Sequence, residues 1–434
     1  MRDALIALLR KLDATQWWAP ADHRAGQLEL ATQVVRHAAE TVPHYASLRH
    51  VLPPGGRALS PEQWSRLPLL RRTDIQRNAE ELLSRAVPSA DLPLAELVTS
   101  GSTGSPVRVL STARSRLFWS ALTVRDHLWH ERDLTGRLAS IRFYSGDAAA
   151  YPDGLTLDSW GSPADRVFRT GPAAALNIRT GVEQQLAWLR RQDPTYLLTY
   201  PSNAVELGHR LVESGEPLRG LRELRLFGEV ADEALVAICR AHFGVPVVDA
   251  YSANEVGYIA LQCREGSYHE QAEGVLVEVL DAQGNACESG RVGRVVITTL
   301  RNFAMPLIRY EIGDFAEVGG PCACGRGLPT LRRILGRTRN MLTLPNGERR
   351  WPALGVAAFR EIAPVVQCQV VQHTPQRLEA RLVVERALTA EEEEGIRARM
   401  NKQAGHLFDI ELSYHDHIER SPTCKFEEFK SMLA

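Results

Sequence analysis

Few features of this sequence mark a specialised environment, and each thing it lacks excludes something. Its 434 residues carry 51 basic and 52 acidic side chains, for a formal net charge of −1. That balance leaves no electrostatic reason to expect nucleic acid or an anionic membrane as the main partner. No apolar run approaches the roughly 20 residues needed to cross a bilayer as a helix. The opening stretch MRDALIALLRKLDATQWW has apolar residues at helical spacing, but Arg10, Lys11 and Asp13 interrupt them. It has neither the apolar core nor the small-residue cleavage site of a signal peptide, and reads as the first amphipathic helix of a cytoplasmic protein. Seven cysteines in so long a chain do not make a disulfide framework. There is no internal repeat and no low-complexity tract.

What is present is a soluble globular composition, 44% hydrophobic and 24% charged, in a chain long enough for two or more domains. Residues 1–90 read as mainly helical. From about 94 to 300, short β-branched or apolar runs (96–99, 138–144, 196–200, 223–227, 245–251) alternate with helical patterns (114–131, 182–192, 204–214, 231–243). Such alternation predicts layered α/β architecture. Residues 274–318 change to turn-linked strands and suggest a smaller β-rich subdomain. Beyond Gly336 a strand pair (365–372, 377–385) precedes a helix over 389–402. There an N-cap Thr389, four glutamates and later basic residues suit the helix macrodipole, so the glutamates read as a solvated face. The fold class is therefore α/β. A large, multi-subdomain N-terminal α/β domain over 1–338 is followed by a small α+β C-terminal domain over 339–434.

The most informative segment runs from Leu97 to Pro106. A strand enters a loop holding Gly101 and Gly104 among Ser100, Ser102, Thr103 and Ser105. Glycine lets backbone amides turn toward an anion and hydroxyls add donors, so the loop suits a polyphosphate. It is not a Walker loop, because no Gly-Lys-Ser/Thr follows. Three further segments follow in order: Leu226-Phe227-Gly228-Glu229, Ala250-Tyr251-Ser252-Ala253-Asn254-Glu255 and Tyr310-Glu311-Ile312-Gly313-Asp314. Gly336-Arg337-Thr338-Arg339-Asn340-Met341 closes the series.

Together these segments resemble the core motifs of the acyl-adenylate-forming superfamily. The segments 41–45, 67–74 and 299–310 are similar to its phenylacetate–CoA ligase-like branch, and the resemblance covers nearly the whole chain. It implies ATP-dependent activation of a small, aromatic carboxylic acid to acyl-AMP, then transfer to CoA, with a mobile C-terminal domain. Carried over residue by residue, Ser100, Gly101, Ser102, Thr103 and Gly104 would embrace the β- and γ-phosphates of ATP. Gly228, Glu229 and Tyr251 would line the adenine pocket, and Ser252 and Asn254 would also bind the nucleotide, Asn254 at a position that usually contacts phosphate. Glu255 would hold Mg²⁺, which prefers hard oxygen ligands. Asp314 would accept from both ribose hydroxyls, Arg337 would contact the nucleotide, and Lys425, in the segment 419–425, would be the adenylation lysine.

The departures from the family pattern are Ser105 for a common Lys, Asn254 for Thr or Ser, Arg339 for Asp, and Cys424 for Gly. They imply an enzyme away from the degradative ligases, in a biosynthetic pathway. A carrier-protein phosphopantetheine or an amine is the alternative acceptor, and a non-catalytic nucleotide-binding relative is the rival from another class. Phe143, Tyr144, Tyr200 and Pro201 lie where an acyl pocket is expected, or else pack the core.

Cysteine use adds one more expectation. Cys263 and His269 have five residues between them, and Cys322-Ala323-Cys324 sits in a Pro/Gly-rich loop. Three thiolates and one imidazole are a closed tetrahedral set for structural Zn²⁺. The alternative is two unrelated pairs. Some members of the branch carry a comparable set.

Overall fold

The computed structural model describes residues 2–99, 107–337, 340–352, 359–421 and 426–433. Local signals set the helices of the α/β region. The helix Pro201–Ser214 opens on a proline, whose missing N–H costs nothing in the first turn, and ends at Gly215 with φ +66°. The helix Glu233–Phe243 opens under Asp232, whose side chain accepts from the Leu235 amide at 2.7 Å, and ends at Gly244 with φ +67°. Among the described residues, no helix is long and apolar enough to cross a membrane.

Those two helices connect Tyr196–Thr199 to Glu223–Phe227 and Glu223–Phe227 to Val247–Ala253, in a group that also holds the strands Leu138–Arg142 and Ala173–Asn177. Neighbouring strands of this group pair in parallel, with Leu138–Arg142 between Ala173–Asn177 and Tyr196–Thr199. At Val247–Ala253 the sheet changes character. Gly257–Gln262 returns antiparallel beside it, and Tyr268–Glu270, Thr330–Arg337, Tyr310–Val318, Val292–Thr299 and Val275–Leu280 follow, each antiparallel to the last. The strands 274–318, read from the sequence as a smaller β-rich subdomain, therefore continue the large sheet. Thr330–Arg337 satisfies an edge on either side, and an unpaired edge there would leave backbone donors and acceptors without partners. They do keep their own apolar core, built with Ala31, Val34, Val35 and Ala38 of the helix Pro20–Thr41 and with Trp64. The expected strand at 96–99 pairs only with Val107–Ser111, in a hairpin outside the large sheet.

The segment 67–74 is fixed by a buried arginine. Arg309 donates to Glu278 at 3.1 and 3.0 Å and to the Ser65 carbonyl at 2.7 Å, while its own carbonyl accepts from Leu70 at 3.0 Å. This seats Leu70–Arg71 parallel to Tyr310–Glu311 and so delivers Arg72 to the middle of the molecule.

Past Arg337 a second sheet stands in the order Asp409–Tyr414, Arg377–Val384, Val365–Gln372, Phe429–Ser431. The helix Ala390–Ala404 carries a reciprocal cap: Thr389 Oγ1 accepts from the Glu392 amide at 3.2 Å, and Glu392 accepts from the Thr389 amide at 2.8 Å.

Candidate nucleotide site and metal centre

In an open α/β sheet, ligands settle beyond the carboxyl ends of the parallel strands. Two of the quoted segments lie there. Glu223–Phe227 ends at Gly228, whose φ of +80° turns the chain into Glu229, and Val247–Ala253 ends in the turn holding Asn254 and Glu255. The antiparallel half adds Asp314 and Arg337, which are register partners across Tyr310–Val318 and Thr330–Arg337.

These side chains meet at one carboxylate. The Tyr251 hydroxyl donates to Asp314 Oδ2 at 2.8 Å, and Arg337 Nε donates to Asp314 Oδ1 at 3.3 Å. An ionised carboxylate has about four lone-pair sites, so the contacts among the described residues leave room for hydroxyls of a ligand. Burial, and then the neighbouring Asp314, push the Tyr251 phenol well above its usual range and keep it a donor. Burial opposes the Arg337 charge, but Asp314 and Glu255 outweigh it and raise the guanidinium pKa. Glu255 is buried; its Oε1 lies 3.4 Å from the Tyr310 hydroxyl and 3.8 Å from Arg72 Nη1. Arg72 and Tyr310 were not singled out from the sequence, although both fall inside the segments 67–74 and 299–310.

Beside Glu255 opens a cavity of about 360 Å³, walled by Phe118, Trp119, Leu122 and Tyr258, with Asn254 and Glu255 on its rim. Trp119 and Tyr258 pack at 4.8 Å between ring centroids, and a Cβ at Gly257 would come within 3.3 Å of Trp119. Glu255 thus offers a hard oxygen donor at the edge of a space open to substrate, which fits Mg²⁺ shared with phosphate oxygens. Of the aromatic residues expected near an acyl group, Tyr200 stacks on Phe227 at 4.7 Å and accepts from the Phe143 amide at 3.4 Å. Tyr144 takes a bond from Arg142, and Pro201 opens a helix. Ser252 is half-buried and Asn254 exposed. The Glu229 carboxylate is committed to the chain itself, accepting from the amides of Phe426 at 2.6 Å and Ser202 at 3.0 Å. Burial raises its pKa against the opposing pull of Arg420. Ser100, Gly101, Ser102, Thr103, Gly104 and Lys425 lie outside the described residues, as do Ser105, Arg339 and Cys424.

The structure brings the two Cys/His pairs into one cluster. Cys263 follows the strand Gly257–Gln262, His269 lies on Tyr268–Glu270, and Cys322 and Cys324 lie in the loop before Thr330–Arg337. All four ligand atoms fall within 4.8 Å of one another. Cys263 Sγ and Cys322 Sγ stand 3.6 Å apart, and Cys324 Sγ is 3.2 Å from His269 Nε2. The first distance is far beyond a disulfide bond. It is close to the ~3.8 Å that separates two thiolates sharing a tetrahedral zinc with bonds of about 2.3 Å. His269 Nδ1 lies 3.4 Å from the Leu328 carbonyl, the second partner that would fix the ring with Nε2 free as ligand. The cluster therefore fits Zn²⁺. Cys263 sits at the far end of a six-residue strand from the turn carrying Glu255, about 20 Å away at ~3.3 Å per residue. A zinc there would brace the sheet without touching the nucleotide.

No protein-family model matches the chain. The phenylacetate–coenzyme A ligase of Thermus thermophilus is 29% identical over 382 residues, covering 83% of this chain and 81% of that one. The enzyme of the same name from Aromatoleum evansii is 26% identical over 337 residues, 74% of this chain and 72% of that one. Among solved structures, 2-hydroxyisobutyryl-CoA ligase in its postadenylation state with 2-HIB-AMP superposes with a TM-score of 0.75 at 20% identity, covering 96% of this chain and 91% of that one. Against the same ligase with CoA in its thioesterification state, over the same shares and identity, the TM-score is 0.60. The fold is that of 2-hydroxyisobutyryl-CoA ligase. In sequence the chain is a homologue of the phenylacetate–coenzyme A ligases over most of its length.

Two outcomes are expected. Protein prepared without chelator should carry about one zinc per chain by elemental analysis, and Cys322→Ser should lower thermal stability before it alters the activity of folded protein. Metal-free protein of full stability would contradict this. Asp314→Ala should weaken ATP binding by roughly 10–100-fold, the loss of one or two charge-assisted bonds, with a smaller effect on kcat. Calorimetry with ATP checks it, and unchanged affinity would place the ribose elsewhere.

Proposed function

We propose that this protein is an AMP-forming acid–CoA ligase that activates a small aromatic carboxylic acid. The observation that carries the proposal is the Asp314 carboxylate, held by Tyr251 and Arg337 beside the buried Glu255. A nucleoside needs two acceptor positions for its ribose hydroxyls, and its phosphates need a cationic and metal-binding edge. Asp314 supplies the first, and Arg337 with Glu255 supplies the second. Tyr251 lies along the strand leading into that edge and offers an aromatic face to the base.

In the first half-reaction a carboxylate oxygen of the acid attacks the α-phosphorus of ATP. The bond to pyrophosphate breaks, and acyl-AMP forms. The residues contribute mainly by positioning and by countering charge as it develops. Glu255 would hold Mg²⁺, which would supply charge neutralisation to the departing pyrophosphate. In the second half-reaction a thiolate attacks the acyl carbonyl and AMP leaves with its oxygen. CoA is the acceptor favoured by the similarity to phenylacetate–coenzyme A ligases. An aromatic acid is favoured by the cavity beside Glu255, whose volume and aromatic walls suit a single ring. Residues 339–434 act as the mobile C-terminal domain and deliver Lys425 to the first step.

The experiment is two assays on wild type and on Lys425→Ala. A panel of aryl, arylacetic and short aliphatic acids is screened by ATP-dependent pyrophosphate release, and the best acid is carried forward. Lys425→Ala should slow acyl-AMP formation by about 10²–10³-fold, the usual loss for one electrostatic stabiliser. It should leave AMP release from synthetic acyl-AMP and CoA largely intact. No pyrophosphate release with any acid would end the enzymatic reading, and near-normal adenylation by the variant would mean that another group does the work.

A further inference from the structure

The cavity beside Glu255 has a second polar place, away from the groups that would meet the nucleotide. Arg301 lies on its wall beside Asn302, just beyond the end of the strand Val292–Thr299. Its backbone is pinned. The Arg301 carbonyl accepts from Thr112 Oγ1 at 3.3 Å, and the Asn302 side chain donates to the Leu110 carbonyl at 2.7 Å. The same side chain accepts from the amides of Ala304 and Met305 at 3.2 and 3.1 Å. The Arg301 guanidinium is half-buried against the Phe118 ring, 4.7 Å from its centroid, and Nε donates to the Glu273 carbonyl at 2.8 Å. Among the described residues, neither Nη1 nor Nη2 makes a hydrogen bond or an ion pair.

The chain supplies this charge with no partner of its own. The Glu273 carboxylate is taken by Arg125, at 2.7 and 3.1 Å, and by Thr15 at 2.6 Å. Burial, and then the nearby Arg114, lower the Arg301 pKa to about 10, which leaves the group charged at neutral pH. Arg116, on the same cavity, spends its nitrogens on neutral acceptors, the carbonyl and hydroxyl of Ser111 and the Pro93 carbonyl. Among the described residues of the wall, the one carboxylate is Glu255, which faces Arg72. A half-buried cation without a counter-charge is costly to keep, and an anion brought in by a ligand would offset that cost.

We propose that Arg301 is a specificity-determining residue that holds a second carboxylate of the substrate, so that the acid activated is an aromatic dicarboxylic acid. With Nε committed, the free edge of the guanidinium is the Nη1–Nη2 pair, which matches the two oxygens of a carboxylate. The reacting carboxylate is a different one, because it must reach the α-phosphorus beside Glu255. Glu255 stands in the turn before Gly257–Gln262, and that strand is not a sheet neighbour of Val292–Thr299. Phe118, Trp119, Leu122 and Tyr258 wall the same cavity with apolar surface, which suits a ring bearing an acid group at each of the two places. The inference rests on the adenylation reading and narrows its substrate class.

The test compares each diacid with the monoacid of the same skeleton: isophthalate and terephthalate with benzoate, and the meta- and para-carboxyphenylacetates with phenylacetate. In ATP-dependent pyrophosphate release, wild type should favour the best diacid by about 10–100-fold in kcat/KM, the worth of one charge-assisted pair. Arg301→Met should remove that preference, mainly through KM of the diacid. Arg301→Lys keeps the charge but not the fork, should retain part of the preference, and keeps the test open if Arg301→Met does not fold. A wild-type preference for monoacids would overturn the proposal, as would an unchanged ratio in every variant that folds. Equal losses on both kinds of acid would mean a structural role, and a loss confined to ATP affinity would assign Arg301 to a phosphate; either result overturns it. If wild type adenylates no acid, the proposed function falls, and calorimetry still decides the role of Arg301. Isophthalate or terephthalate should then bind wild type roughly tenfold or more tightly than benzoate, with the difference lost in Arg301→Met, and equal binding of diacid and monoacid would overturn the proposal.

Discussion

The site depends on one carboxylate, Asp314, which ties the antiparallel part of the large sheet to its last parallel strand. Tyr251 comes from the last parallel strand and Arg337 from the antiparallel half, and both donate to it. These residues meet because the large sheet changes from parallel to antiparallel pairing at Val247–Ala253 without a break in its hydrogen bonding. The parallel strands supply loops at their carboxyl ends, while the antiparallel strands supply residues in fixed cross-strand register. A half-buried carboxylate with two donors is costly to build, and it is tolerable because Arg337 balances its charge.

The same junction passes directly to the C-terminal part of the chain. Arg337 is the last residue of its strand, and its amide donates to the Asn340 side chain at 3.1 Å. Asn340 in turn donates to the Phe429 carbonyl at 2.8 Å, three residues beyond Phe426. Contacts around the nucleotide position and contacts that hold the C-terminal segment are therefore neighbours in space. The Cys/His cluster lies away from this traffic, at the other end of Gly257–Gln262, where it can stiffen the loop before Thr330–Arg337.

Much of this was legible from the residues because it is local. The helix cap at Thr389, the alternation of strands and helices, and the donor chemistry of the cysteine pairs each depend on a few adjacent side chains. Strand partners are not local. The run 274–318 reads the same whether it closes a subdomain or extends a sheet, and only the pairing of Thr330–Arg337 with Tyr268–Glu270 decides. That pairing also brings His269 to Cys324. Glu229 shows the limit most clearly: its segment pointed to a nucleotide pocket, but the partner of its carboxylate lies 197 residues away. Arg72 was likewise hidden, because its place beside Glu255 is set by Arg309 and the strand pairing at Leu70. The aromatic cavity needed the helix Ala113–Trp129 laid against the start of the strand Gly257–Gln262, which no periodicity encodes.

The central claim is that an acid oxygen becomes bonded to the α-phosphorus of ATP. The most direct measurement is to supply the acid with both carboxyl oxygens replaced by oxygen-18, add ATP and CoA, and weigh the nucleotide product. Attack at the α-phosphorus followed by thiolysis leaves one carboxyl oxygen on the phosphate, so AMP should gain a single heavy oxygen. Unlabelled AMP, or label appearing in inorganic phosphate with ADP as product, would contradict the account.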